Sequence, residues 1–269
     1  MPELVSALFA AYVGLGLVVG FVAGLLGVGG GLIIVPVLIM LLHANGLAAG
    51  MEPQLALGTS LASILFTSLS SVRAHHRHGA VEWPLLRRIA PGILLGTLLG
   101  ALLAARMSAL VLKLFFVAFL FYAAIQMWLD FKPAPQRGLP GRAGTTLAGS
   151  VIGAVSSWVG IGGGTLSVPF MLWHNIPLHR AIATSAAIGF PIAASGAMGY
   201  VLGGWNVSGL PAGSLGFVYL PALAGIVIGS VLTAPLGART AHRLPVRPLK
   251  RIFVLLLLVL ALRMVWTFY

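Results

Sequence analysis

Two glycine-rich stretches carry the residues most able to do chemistry, and they are copies of one another. Gly27-Val28-Gly29-Gly30-Gly31-Leu32-Ile33-Ile34-Val35-Pro36 returns 133 residues later as Gly160-Ile161-Gly162-Gly163-Gly164-Thr165-Leu166-Ser167-Val168-Pro169. Glycine permits positive φ and close backbone approach, so each copy suits a tip where backbone N–H groups are left facing a ligand. Where such a tip opens a helix, the unpaired N–H groups and the helix dipole together favour an anion without any charged side chain. Hydroxyls recur nearby: Thr59-Ser60 in the first half, Thr184-Ser185 in the second, and Thr165 beside the second glycine triplet. The candidate substrate-binding set is therefore Gly29, Gly30, Gly31, Thr59, Ser60, Gly162, Gly163, Gly164, Thr165, Thr184 and Ser185, with a small anion as guest.

Small hydroxyl residues are also the usual packing positions of membrane helices, so each Ser or Thr has a packing reading beside the coordinating one. Ser60, Ser63 and Thr67 share a helix face by their spacing of three and four. His43 and His174 close the two apolar stretches that follow the glycines, where a proton-coupling role competes with that of an interfacial anchor. His75, His76 and His78 lie among Arg73 and Arg77 with no carboxylate or Cys, which reads as a solvated basic loop rather than a metal site. Arg106, Arg239, Lys113 and Lys250 read as snorkelling cations, with gating of an anion path as the alternative. The four acids, Glu3, Glu52, Glu82 and Asp130, fall at segment ends or in loops, which argues against a buried carboxylate relay. There is no cysteine, and no nucleophile, carboxylate pair or metal cluster falls within the apolar segments, so neither an enzyme nor a cofactor is expected.

The elements that must position these residues are membrane segments. Hydrophobic residues make up 59% of the chain and charged ones 7%, with a mean hydropathy of +1.05, far from a soluble domain. Met1-Pro2-Glu3 offers no basic stretch before the first apolar run, so that run is expected to be retained rather than cleaved. The net charge of +12 is spread between apolar runs with no basic arm, which disfavours nucleic acid as a partner. Apolar runs fall near 4–26, 32–43, 55–72, 85–105 and 110–129, and again near 145–159, 165–174, 181–202, 215–237 and 249–266. The second run of each set is too short to cross: 12 and 10 residues rise only about 18 and 15 Å against a core of about 30 Å. Each reads as the return arm of a hairpin, with Pro36 or Pro169 in the first turn of the return helix.

Residues 1–129 and 144–269 thus form two five-segment repeats, joined by the Pro-, Gly- and Arg-rich linker 130–143. Positive charge reverses between them. The loop 73–88 carries four arginines while its counterpart 203–213 carries none, and 239–251 carries five basic residues against two in 106–113. An odd number of segments per repeat inverts the second copy, which puts both termini outside and the linker in the cytoplasm. Thirteen basic residues then fall inside, leaving Arg106, Lys113 and Arg263 outside. The expected fold is an all-α polytopic membrane protein of two inverted repeats, each beginning with a broken or re-entrant helical hairpin. A homodimer is compatible with this pattern.

The Gly27 to Pro36 motif, its repeat at Gly160 to Pro169, and the following Gly58-Thr59-Ser60 and Ala183-Thr184-Ser185 resemble the TauE/SafE sulfite exporter family across essentially the whole chain. The resemblance implies secondary transport of small sulfur-containing anions, such as sulfite or organosulfonates, across a bacterial inner membrane. A carrier working by alternating access is the expectation. An anion channel of the same architecture and a membrane accessory or assembly protein are the alternatives.

Overall fold

The computed structural model describes residues 2–26, 30–77, 79–129, 138–241 and 246–266. Ten helices run in order through them: α1 (Pro2–Leu26), α2 (Gly31–Ala44), α3 (Glu52–Arg77), α4 (Trp83–Ala104), α5 (Ala109–Trp128), α6 (Arg142–Val159), α7 (Gly164–Trp173), α8 (Leu178–Gly204), α9 (Leu220–Ala241) and α10 (Val246–Trp266). Five of them, within α1, α4, α5, α8 and α9, are long and apolar enough to cross a membrane. Leu95, Leu99, Val231, Leu232, Leu255 and Val259 lie more than half exposed on α4, α9 and α10, a surface that water would not tolerate and lipid would. Trp128 and Trp173 lie exposed at one end of the bundle and Trp205 and Trp266 at the other, where amphipathic rings favour the two membrane interfaces.

Two glycine seams hold the long helices together. A Cβ on Gly92 or Gly96 of α4 would stand 1.9 or 2.1 Å from the carbonyl oxygens of Thr146 and Ser150 on α6. On α9, Gly229 would meet the Val13 oxygen at 2.3 Å and Gly237 the Phe21 oxygen at 2.0 Å, both on α1. Between apolar helices in lipid, association depends on such close backbone approach, because burying more apolar surface gains nothing. The contacts echo one another 133 residues apart. Gly92 meets Thr146 as Gly225 meets Val13, and Gly153 meets Thr97 as Gly20 meets Ser230.

Inside the seams, α3 crosses α8, with α2 packed on α3 and α7 on α8, while α5 lies against α10. α2 is apolar on every side, and its residues Leu32, Ile33, Ile34, Val35, Leu38 and Ile39 are at most 3% exposed, which is the pattern of a helix surrounded by protein.

Three details depart from the sequence reading. The run expected to begin at residue 215 starts instead with a two-stranded antiparallel ribbon, β1 (Ser214–Leu215) and β2 (Val218–Tyr219), before α9. Gly216 turns it at φ +54°, and Phe217 N–H donates to Tyr200 O at 3.1 Å. Pro36 and Pro169 do not occupy the first turn: each is the sixth residue of its helix, because the helices start within the glycines themselves. A proline there removes the bond to the carbonyl four residues back, freeing the oxygens of Leu32 and Thr165 near the tips. Finally, Glu52 stands at a helix end as expected yet is only 4% exposed, beside His43 of α2 and two residues from Gln54, whose Nε2 donates to Met107 O of the turn before α5 at 2.8 Å.

Candidate functional site: two glycine tips in contact

α6 ends because Gly160 takes φ +69°, and both Gly160 N–H and Ile161 N–H fold back onto Ser156 O at 2.8 and 3.2 Å. A left-handed residue closing a helix is a place where glycine avoids the steric cost of Cβ. Three residues further on, Gly163 is also left-handed, at φ +82°, and its carbonyl starts α7 by accepting from Leu166 and Ser167 N–H at 3.0 and 2.8 Å. Gly30 starts α2 the same way, accepting from Ile33 and Ile34 at 3.1 and 3.0 Å. Neither cap uses a side chain. The N–H groups of the first helical residues, Gly164 and Thr165 in α7, have no intrahelical partner by construction.

The two tips meet. A Cβ on Gly31 would stand 2.1 Å from Gly160 O and 3.2 Å from the Ile161 Cα. Gly30 packs beside Val19, so α1 continues about two turns beyond the level at which α2 begins. Ser60 Oγ donates to Gly160 O at 2.8 Å and ties α3 to the junction. Gly162 lies under Ile64 of α3 and Gly189 of α8, and Gly163 under Ile192 and Ile188 of α8. Ser167 Oγ donates to Ser185 Oγ at 2.9 Å, linking α7 to α8.

Of the residues singled out in the sequence, the structure therefore brings together Gly30, Gly31, Ser60, Gly162, Gly163, Gly164, Thr165 and Ser185. Gly29 lies outside the described residues, as do Gly27 and Val28. Thr59 and Thr184 turn elsewhere: Thr59 Oγ1 accepts from Tyr219 N–H just before α9, and Thr184 Oγ1 accepts from Glu82 N–H just before α4, both at 2.9 Å. Ser63 and Thr67 bond to carbonyls of their own helix. His174 is 9% exposed, with Nδ1 2.7 Å from Phe170 O and its ring against Phe170. The side chains of Arg73, His75, His76, Arg77, Arg239 and Lys250, together with His78 and the linker residues 130–137, lie outside the described set.

Sequence reading missed Ser156. It is fully buried in the last turn of α6, its Oγ has no hydrogen-bond partner, and it lies 3.9 Å from where a Cβ on Gly163 would stand. Thr165 Oγ1 is likewise buried without a partner at the start of α7. A buried hydroxyl without a partner costs about 1–3 kcal/mol, so two beside one helix start need an explanation. The available signal was position: Ser156 falls one turn before the glycine that ends its helix.

At the other end of α7 a cleft of about 420 Å³ opens, lined by Glu82, Pro84, Leu85, Arg88, Leu139, His174, Asn175 and Ile176. Arg180 pairs with Glu82 at its edge. α7 has 10 residues, so the cleft and the tip are about 15 Å apart along it.

Duplicated glycine tips within apolar helices are the feature against which the chain can be compared with other proteins. Residues 12–264 match the family described as Sulfite exporter TauE/SafE. The protein belongs to that family. It is 37% identical over 251 residues to a "Probable membrane transporter protein" of Haemophilus influenzae, covering 93% of this chain and 95% of that one. It is 29% identical to "Probable membrane transporter protein YunE" of Bacillus subtilis, covering 96% and 97% of the two chains. A "Probable membrane transporter protein" of Xylella fastidiosa is 28% identical, covering 94% of each. These relatives carry transporter names and none an enzyme's. No solved structure matches the chain. Family and apolar helices together make this a multi-pass membrane protein.

Proposed function

We propose that the protein is a secondary transporter that exports a small anion, a sulfur oxyanion or organosulfonate, by alternating access. The observation that carries this reading is the second tip, where the buried, unpartnered hydroxyls of Ser156 and Thr165 stand beside the free N–H groups that open α7. Donors with no acceptor, held where a helix dipole is positive, are what an oxyanion would satisfy. The first tip, pressed against Gly160, supplies the facing wall. The cleft with Arg88 and His174 is the vestibule on the cytoplasmic side, and Arg180–Glu82 closes its rim.

The same reading takes residues 1–129 and 144–269 as inverted repeats around a cytoplasmic linker, 130–143, in a bacterial inner membrane with both termini periplasmic. The exchange of helix pairings supports it. α1 on α9 becomes α6 on α4 when each helix is replaced by its counterpart five places along, and α2 on α3 becomes α7 on α8. Thr59 and Thr184, holding equivalent positions before α9 and α4, follow the same exchange.

The test is anion-dependent thermal stabilisation of the purified protein with sulfite, sulfate, thiosulfate, sulfoacetate, chloride and a neutral analogue. A ligand at 100 times its dissociation constant adds about 2.7 kcal/mol to the native state. A shift for a sulfur anion that Ser156→Ala reduces supports the reading. No shift with any of them, or one indifferent to Ser156 and Gly163, overturns it.

A further inference from the structure

We propose that Glu52 and His43 form a proton-binding site that couples anion movement to proton movement. This deepens the transport reading and rests on it for its role, though not for its existence.

Glu52 opens α3 with one carboxylate oxygen, Oε1, 3.3 Å from His43 Nδ1 at the end of α2. Its other oxygen, Oε2, is buried with no donor, and so is Gln54 Oε1 two residues along. The Gln54 amide nitrogen is already committed to Met107 O. Two buried acceptors therefore lack donors within one turn of helix, and the group between them and solvent is titratable. The His43 side chain is 58% exposed, whereas that of Glu52 is 5% exposed. A proton taken from water by the imidazole can pass along the Nδ1–Oε1 contact to the carboxylate, which becomes a neutral acid with an O–H to donate, while His43 returns to neutral imidazole. The geometry supplies both ends of that path: an imidazole in contact with water and a carboxylate oxygen with no donor of its own. Sodium suits the site less well, because hard cations gather more oxygen ligands than one carboxylate and one amide supply.

The other charged or titratable groups on elements packed against α2 and α3 towards this end are Arg106 in the turn before α5, Lys113 on α5, Arg263 on α10, Tyr219 on β2, Tyr12 on α1 against Tyr219, and Tyr200 on α8. None of the three cations pairs with Glu52: among the described residues its ion-pair partner is His43, and the other ion pair is Glu82–Arg180. The position couples naturally to the tips. His43 ends the helix that begins at Gly31, and Glu52 lies eight residues, about 12 Å, before Ser60, whose hydroxyl holds Gly160.

The first experiment needs no variant and no substrate. The wild-type protein in liposomes is treated with an apolar carbodiimide, which attacks protonated buried carboxyls, at a series of pH values, and the modified peptide is mapped. Labelling at Glu52 that falls as pH rises and is indifferent to sodium is expected. Glu52 unlabelled at every pH, or protected by sodium at fixed pH, overturns the proposal. The second experiment uses radiolabelled sulfite in proteoliposomes. Glu52→Gln should keep counterflow at equal pH on both sides and lose at least tenfold of the accumulation driven by a pH gradient. His43→Gln, at an exposed position, should shift the pH profile of that accumulation. Gradient-driven accumulation by Glu52→Gln at the wild-type level also overturns the proposal. If the wild-type protein shows no sulfite counterflow, the choice of cargo fails and the labelling decides the proton site by itself. If Glu52→Gln loses counterflow, the labelling and the His43→Gln profile decide.

Discussion

The first glycine tip and the second open their helices with the same hydrogen bonds and differ in the backbone of the capping glycine and in the side chains around it. Gly30 and Gly163 cap their helices with the same pair of carbonyl contacts, and a proline follows six residues after each. Yet Ser156, Thr165 and Ser167 around the second tip stand where the first has Ala23, Leu32 and Ile34, by the 133-residue offset. Leu32 and Ile34 beside the first tip are apolar and buried, and the second tip holds the unpartnered hydroxyls. Both copies start a helix within the glycines, and among the described residues the unpartnered hydroxyls stand at the second copy alone. The site in the proposed carrier is accordingly asymmetric, with one tip binding and the other walling it.

The largest effect should come from pressing the tips apart. Gly31→Val places its Cβ against Gly160 O at 2.1 Å, and a backbone oxygen cannot rotate away as a side chain can. Overpacking costs about 1–3 kcal/mol in a core that can adjust, and more where the neighbour is backbone. We expect loss of folded yield in detergent, by size-exclusion profile, together with loss of anion stabilisation.

Next comes Gly163→Ala. A side chain at φ +82° costs about 1–2 kcal/mol, and Ile192 Cδ1 lies 2.5 Å from the new methyl. Gly30→Ala, at φ −64°, carries no such backbone strain, and its methyl meets side chains alone, Val19 Cγ1 at 2.0 Å and Ile34 Cδ1 at 3.5 Å. Anion-dependent stabilisation should fall further for Gly163→Ala than for Gly30→Ala. Equal losses would mean that the two tips bind alike and that the asymmetry is only in packing.

Ser156→Ala isolates the chemistry from the fold. Removing a buried hydroxyl that has no partner should leave the unliganded protein as stable or about 1 kcal/mol more so. Losing a charge-assisted hydrogen bond should weaken anion binding about tenfold, equivalent to about 1.4 kcal/mol. The reciprocal Ala23→Ser should leave binding unchanged. Thr59→Val should behave oppositely to Ser156→Ala: it strips the acceptor from Tyr219 N–H and costs about 1 kcal/mol in melting, with anion affinity intact.

Much of this was legible in the sequence. Each of the ten apolar runs overlaps one of the helices, because length and hydropathy constrain a membrane segment more tightly than any soluble helix. The glycine repeat located both broken helices. What the sequence did not carry was direction. Thr59-Ser60 and Thr184-Ser185 read as two equal hydroxyl pairs, but neighbouring residues on a helix point about 100° apart, so in each pair one hydroxyl faces a tip or α7 and the other faces the residue before a long helix. Burial was equally hidden at Glu52, whose place at a helix end suggested solvent although it is 4% exposed and its neighbour Gln54 is tied to the turn before α5.

The smallest effect should be that of Gly162→Ala, although it belongs to the second triplet and directly precedes Gly163. Its φ lies outside the left-handed region, and a Cβ there would meet Ile64 Cγ2 at 3.4 Å and Gly189 Cα at 3.7 Å, ordinary van der Waals contact. We expect a melting change within about 0.5 kcal/mol and unchanged anion stabilisation. That outcome beside a large loss at Gly163 would show that the triplet works through the one residue whose backbone must be left-handed to start α7. A loss at Gly162 equal to that at Gly163 would instead mean that the anion approaches the backbone along the whole triplet, so that any methyl on that surface excludes it.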